Sequence, residues 1–259
     1  MSKLALVTGA TSGIGRAYAE RLAADGHDLV LVGRRKDRLE EFAASHPGTE
    51  VRTVAADLAT PAGIDTVAAL LAAEPVDLLV NNAGVAHYMP LAELPAEKAT
   101  EIVNVKVLAP TLLTRAVLPG MQERGGGTVV NVAGMIAFSG PAPHSQMPRR
   151  VVYGGSLAYL VTMSQTLAAE LEGTGIAVQV VCPGVVATEF HERQGLDLSG
   201  VPRMTAEDVV TASLRGLELG ETVCAPGVED AGLLDAVFQA DLAAFGAQST
   251  ELATRYRAA

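Results

Sequence analysis

The sequence predicts an α/β chain built on a doubly wound parallel sheet, and three observations predict it. Short apolar runs of strand length alternate with segments of helical period. Several of those runs are β-branched or apolar at successive positions, as strands covered on both faces require. The first run passes through a glycine-rich turn straight into a helical segment.

The elements follow in order. Strands are expected at 4–8, 28–32, 51–55, 78–81, 128–132 and 176–182, with a short one at 222–225. Helices are expected between them at 14–24, 36–45, 62–73, 96–121, 153–172 and 206–219. Thr205 with Asp208 makes a capping box for the last of these. Pro110 should kink the long helix, because it has no N–H to donate to the carbonyl of Lys106. Residues 139–152 and 188–204 read as irregular, and the chain from Glu229 on, with Phe238 and Phe245, as one or two helices covering a sheet edge or a neighbouring subunit. A single domain over 1–259, with a C-terminal extension from about 226, is the organisation this pattern supports.

The 259 residues are 49% hydrophobic, enough for a sizeable core. A net charge of -10 argues against nucleic acid or an anionic membrane as the main partner. No apolar stretch is expected to approach the ~20 residues of a membrane span. The N-terminus runs directly into a strand, with no leader pattern, so a cytoplasmic protein is the expectation. Cys182 and Cys224 lie in apolar runs and read as buried reduced thiols. The scattered histidines and distant cysteines give no metal-ligand spacing.

The first strand ends in Thr8-Gly9-Ala10-Thr11-Ser12-Gly13-Ile14-Gly15. Glycines here let the backbone turn sharply and approach a pyrophosphate, which then sits on the free N–H groups of the helix N-terminus. The spacing G-x-x-x-G-x-G is joined by Asn81-Asn82-Ala83-Gly84, Asp57-Leu58, Asn104, Tyr153 and Pro183-Gly184-Val185-Val186-Ala187-Thr188. On these motifs the chain resembles the short-chain dehydrogenase/reductase family over roughly residues 3–190. The resemblance implies a single Rossmann-like domain with a seven-stranded parallel sheet, a small-molecule substrate, and a homodimer or homotetramer built through the long helices. It also implies that Asp57 and Leu58 flank an adenine, Asn82 touches its ribose side, and Val186 and Thr188 hold the nicotinamide end.

The second strand ends in Val32-Gly33-Arg34-Arg35, with no carboxylate to accept from a ribose 2′-hydroxyl. A guanidinium suits a 2′-phosphate instead, so NADP(H) is the expected cofactor, with Arg34 in the position that accompanies it in similar proteins.

Carbonyl reduction needs a proton donor at the developing alkoxide and a dipole to steady that oxygen. The family uses a Tyr-x-x-x-Lys pair, a serine after the fifth strand and an asparagine on the long helix. Tyr153 and Asn104 match. Gly134 stands at the serine position and Leu157 at the lysine position, and no lysine follows Lys106. An unperturbed tyrosine of pKa ~10 is about one part in a thousand ionised at pH 7, so alcohol oxidation suffers most from the missing ammonium. Reduction uses the neutral phenol and loses less, apart from the ammonium that would grip the nicotinamide ribose and a serine hydrogen bond of ~3 kcal/mol.

Three accounts remain open at this point. In one, the long segment before Tyr153 supplies replacements: Ser139 or Ser145 for the hydroxyl, Arg149 or Arg150 for the charge, His144 as acid, with Gln146 beside them. In another, the chain binds NADP(H) but performs an elimination, isomerisation or cyclisation. In the third it is a non-catalytic cofactor-binding protein. His87 and Tyr88 fall on a loop at the strand ends, His87 being read as structural. Met135, Ile136 and Phe138 suggest an apolar wall, and 188–204 a substrate lid on which His191, Glu192 and Arg193 are read as an exposed helical face.

Overall fold

The computed structural model describes residues 3–140, 142, 149–198 and 200–257. These form two compact units, Met1–Pro226 and Gly227–Ala259. The first unit carries seven strands: β1 (Leu4–Thr8), β2 (Asp28–Gly33), β3 (Val51–Ala55), β4 (Val76–Asn81), β5 (Gly127–Val132), β6 (Ile176–Val181) and β7 (Val223–Cys224). All pair in parallel, in the order β3-β2-β1-β4-β5-β6-β7. The winding reverses between β1 and β4, and ligands of such sheets sit beyond the strand C-termini at that point. Residues 78 and 79 of β4 pair with Ala5 and Leu6, so the Asn81–Gly84 turn and the glycine loop emerge side by side.

Helices cover both faces: α1 (Gly13–Ala24), α2 (Lys36–Ser45), α3 (Pro61–Ala73), α4 (Ala96–Val103), α5 (Ala109–Arg124), α6 (Val151–Glu170), α7 (Glu189–Arg193) and α8 (Ala206–Glu218). Side chains alternate across a strand, and β1 shows the consequence. Ala5 and Val7 enter one core with Phe42 of α2 and Val209 of α8, whereas Leu6 enters the other with Leu113 and Val117 of α5. All three β1 side chains are fully buried, which explains why the run reads as continuously apolar.

The long helix departs from expectation. Instead of a kink at Pro110, a π-helical turn over Asn104–Leu108 separates α4 from α5. The Ala109 N–H donates to the Asn104 carbonyl five residues back. Pro110 cannot close the next α-helical bond, and the widened turn just before it absorbs the interruption. Contrary to the expectation of no span-length segment, the 29-residue run Ala96–Arg124 is long and apolar enough to cross a membrane. Its α5 portion packs on β4, β5 and α3, the position of a core helix.

A buried polar ladder lies beneath the strand ends. Asn81 Nδ2 donates to Thr114 Oγ1 of α5 (3.2 Å) and to Asn131 Oδ1 of β5 (2.9 Å). Asn131 Nδ2 in turn donates to Ser164 Oγ of α6 (2.9 Å). The Thr205 half of the expected capping box forms, its Oγ1 accepting from the Asp208 N–H at 3.0 Å. The excursion after β6 is pinned at its base by a bridge between Val186 and Met204, with Ala187 N–H donating to Met204 O (2.8 Å) and Met204 N–H to Val185 O (3.0 Å). Cys182 and Cys224 are buried and free. In the second unit, α9 (Gly232–Gly246) exposes Leu233, Val237, Leu242 and Phe245.

Candidate active site

The turn from β1 into α1 is built by glycine. Gly9 has φ +66°, a left-handed conformation that side chains resist. A Cβ on Gly15 would lie 2.4 Å from the Gly9 carbonyl oxygen, so Gly15 is there to let the loop fold onto the helix. It packs behind the loop and does not line the cleft, unlike its expected cofactor contact. Ser12, the N-cap of α1, makes no side-chain capping bond. The first-turn N–H groups are therefore left for a ligand, the arrangement that receives phosphate.

A cleft of about 860 Å³ opens above the strand ends. Every residue read from sequence as cofactor-binding, Gly15 apart, lines it. Gly9, Thr11, Ser12, Gly13 and Ile14 form one wall. Arg34, Arg35, Asp57 and Leu58 form the end beside β2 and β3. Asn82, Ala83 and Gly84 form the floor, and Tyr153, Pro183, Gly184, Val186 and Thr188 the far end. Asn82 has a role that its motif did not show. Its Nδ2 donates to the carbonyls of Thr8 (3.0 Å) and Gly9 (3.3 Å), closing the glycine loop against β4.

At the β2 end, guanidinium groups crowd a single carboxylate. Arg35 reaches Glu189 at 3.4 Å and Arg38 at 2.8 Å, and Arg193 is also paired with it. Arg35 also donates to Thr11 Oγ1 (2.6 Å) and Ser12 Oγ (3.0 Å) across the loop. Burial and the neighbouring Arg38 hold the Arg35 guanidinium below the ordinary arginine range. Arg34 is exposed at the rim, 3.7 Å from Glu101. The cluster has a surplus of positive charge facing the cleft, which suits a phosphate. With the uncapped helix end, these residues fit a phosphorylated dinucleotide.

At the far end, Tyr153 is buried, edge-on to Tyr88 (centroids 5.7 Å) and tilted against Phe190 (6.2 Å). Burial, and then Tyr88, push the Tyr153 phenol above the ordinary tyrosine range. Burial pushes Tyr88 up to about 12. Leu157 is fully buried and lines the cleft beside it. Gly134 is extended, with φ 165°, a conformation open to any residue. A Cβ there would meet Leu157 Cδ1 and Pro183 O at 3.5 Å each, ordinary contact. Neither backbone nor space requires the glycine.

Asn104 does not join Tyr153. Its Nδ2 donates to the Ala59 carbonyl at 2.7 Å, outside the cleft lining, and Ala59 N–H donates to Asp57 Oδ1 at 3.0 Å. Asn104 thus ties the π-turn to the loop that carries Asp57. The proposed replacements are also constrained. Ser139 lines the cleft, but its hydroxyl donates to Ile136 O (2.7 Å) and accepts from Arg150 Nε (2.9 Å). Arg150 is thereby held on Ser139, and Arg149 is exposed. His144, Ser145 and Gln146 lie outside the described residues.

His87 Nε2 sits 2.8 Å from Glu101 and away from the cleft lining, in keeping with a structural role. The lid is helical over Glu189–Arg193 as its spacing suggests, but His191 is not on an outer face. It lines the cleft half-buried, stacked edge-on to Phe190 (5.4 Å). Burial, and then Arg203, lower its pKa. Two contributors escaped the sequence reading. Glu189 is an ordinary lid glutamate until folding delivers three arginines to it. Lys106 is a helix lysine whose side chain turns inward to the cleft, where Nζ donates to the Val132 carbonyl at 3.0 Å.

The short chain dehydrogenase family model matches residues 3–198. The chain is similar to the very-long-chain 3-oxoacyl-CoA reductase of Mus musculus, 33% identical over 226 residues, covering 85% of this chain and 70% of that one. Of the reductases of the same name in Rattus norvegicus, Pyrenophora tritici-repentis and Homo sapiens, the chain spans 61%, 56% and 61% of the length, less than two thirds. Among solved structures, it is similar to a short-chain dehydrogenase from Sphingobium yanoikuyae in complex with NADPH, with TM-score 0.92 and 35% identity over 98% of this chain and 100% of that one. The bulky-bulky ketone specific alcohol dehydrogenase from Comamonas testosteroni follows at TM-score 0.87 and 30% identity, covering 98% of each. With the parallel sheet, the glycine loop and a buried tyrosine at the far end of one cleft, the chain belongs to the short-chain dehydrogenase family.

Proposed function

We propose that the chain is an NADP(H)-dependent carbonyl reductase acting on a small, apolar ketone or aldehyde. One observation carries the reading: the cleft that begins at an uncapped helix N-terminus ends at a buried phenol kept in its neutral form. A neutral phenol is a proton donor, and reduction of a carbonyl consumes a proton. Tyr153 Oη gives that proton to the oxygen of the substrate as it becomes an alkoxide. Tyr88 and Phe190 pack against the ring of Tyr153 and exclude water from it. Met135, Ile136, Leu196 and Leu198 extend the apolar wall on which the substrate rests. NADPH, when bound, supplies the hydride.

The choice of NADP(H) rests on the arginine cluster around Glu189 and on the lack of a carboxylate at the end of β2. The structural relative that carries NADPH supports it. The apolar lining, with relatives named for 3-oxoacyl-CoA and ketones, supports an apolar carbonyl substrate.

The test follows NADPH absorbance with a panel of ketones and aldehydes. Turnover is expected, falling at least about a hundredfold in Tyr153→Phe. A rival reading, cofactor binding without net redox, is favoured by the engagement of the Ser139 hydroxyl, which leaves no described side-chain hydroxyl in place of the missing serine. It predicts NADPH binding with no substrate-dependent oxidation.

A further inference from the structure

Lys106 is a buried cation with no part in the proton transfer proposed for Tyr153. It is 4% exposed, at the second buried position of the π-turn. Its ammonium has a single hydrogen bond, to Val132 O at 3.0 Å, and no carboxylate partner among the described residues. A buried ammonium with one carbonyl for company is costly and calls for further acceptors. An ammonium carries three donors, so two remain.

The surroundings say where those donors can be used. Val132 is the last residue of β5, two before Gly134. On the other side, a Cβ placed on Gly84 would come within 2.7 Å of Lys106 Cε and 2.9 Å of Nζ. The lysine therefore passes over Gly84 and ends between the C-termini of β4 and β5, the floor of the cleft. Gly134, Leu157 and Tyr153 line that same cleft, and a Cβ on Gly134 would stand 3.5 Å from Leu157 Cδ1. The cation is present there, although the position four after Tyr153 is leucine.

We propose that Lys106, reaching the cleft floor past Gly84, donates hydrogen bonds to the hydroxyls of the cofactor sugar next to the nicotinamide, the contact that Leu157 cannot make. This rests on the NADP(H) reading above. Two features of the fold make the relocation possible. The π-turn closed by the Ala109-to-Asn104 bond turns Lys106 inward, and Gly84 leaves the channel its side chain fills. Burial lowers the Lys106 pKa to about 8, so the ammonium form prevails at neutral pH.

The chain has four lysines, Lys3, Lys36, Lys98 and Lys106, and the first three are exposed. Carbon-13 labelling of lysine Cε thus gives one buried signal to follow. Adding NADPH to the unsubstituted protein should shift that signal and raise its titration midpoint, while adenosine 2′,5′-bisphosphate, which lacks the nicotinamide and its sugar, should leave it unmoved. By calorimetry, Lys106→Met should weaken NADPH about tenfold, the scale of one charged hydrogen bond, and leave the bisphosphate affinity unchanged. Adding Leu157→Lys to that variant should restore NADPH binding. An NADPH-insensitive Lys106 signal in protein that binds NADPH would overturn the proposal. So would equal loss of both ligands in Lys106→Met, which marks a purely structural lysine. If neither ligand binds the unsubstituted protein, the cofactor reading itself fails and the proposal with it.

Discussion

Gly134 gives the sharpest test at the scale of single residues. A serine Cβ fits there in ordinary contact with Leu157 and Pro183, and the backbone is extended. Gly134→Ser should therefore raise the reductase kcat by on the order of a hundredfold, the scale of one oxyanion donor, without loss of thermal stability. Tyr153 fixes the pH behaviour. Its folded pKa is raised by burial, so the acid form persists through the neutral and mildly basic range. Reduction should accordingly be insensitive to Tyr153 ionisation between pH 6 and pH 9, whereas alcohol oxidation, which needs the phenolate, should rise about tenfold per pH unit over that range. Initial rates in both directions check the contrast, and a bell-shaped reductive profile centred near neutrality would contradict it. Arg34 is exposed at the rim with only a distant carboxylate, so Arg34→Ala should cost NADPH affinity about tenfold while leaving NADH unaffected, as read by calorimetry.

At the scale of elements, the central strands were legible because both their faces are buried and few polar residues interrupt the runs. Their ends differ from the sequence reading by a residue or two, as at Val76, where β4 begins ahead of the apolar run at 78. The π-turn was not legible. Helical period assumes 3.6 residues per turn, and the widened turn at Asn104–Leu108 shifts that phase without any sequence signature beyond Pro110. That shift accompanies the inward turn of Lys106, which its place in the sequence did not announce, and Asn104 points to Ala59 rather than to the reacting oxygen. Asn104→Ala should thus act through the helix. We expect about 1 kcal/mol of lost stability from the vacated hydrogen bond, seen by denaturant unfolding, with a smaller change in the KM for substrate than in stability.

The molecule as a whole joins these parts by charge and by the polar ladder under the sheet. The cofactor half was readable because phosphate recognition is written in contiguous backbone, from Gly9 to Gly15 and from Asn81 to Gly84. Glu189 was not, since it acquires its meaning only when the lid folds beside Arg35 and Arg38 of a segment some 150 residues distant. With Glu189 already on those guanidiniums, an arriving 2′-phosphate must compete with it. Glu189→Gln should then tighten NADPH severalfold at low salt, an advantage that shrinks as salt screens the exposed charges. Val103, Leu108, Val151 and Tyr159 are exposed apolar positions on the long helices. They suit the homodimer or homotetramer that the family resemblance implies, which sedimentation of Tyr159→Glu against the parent chain will check.

The bridge between Val186 and Met204 has a consequence for how such a chain diversifies. Because both feet of the excursion are stapled to each other beside β6, the residues strung between them form a cassette that can be exchanged without disturbing sheet register. Grafting the corresponding stretch of a relative with a different ketone preference onto these anchors, with Thr188, Glu189 and Arg193 kept in place, should transfer that preference, while leaving dinucleotide affinity and melting temperature close to those of the recipient.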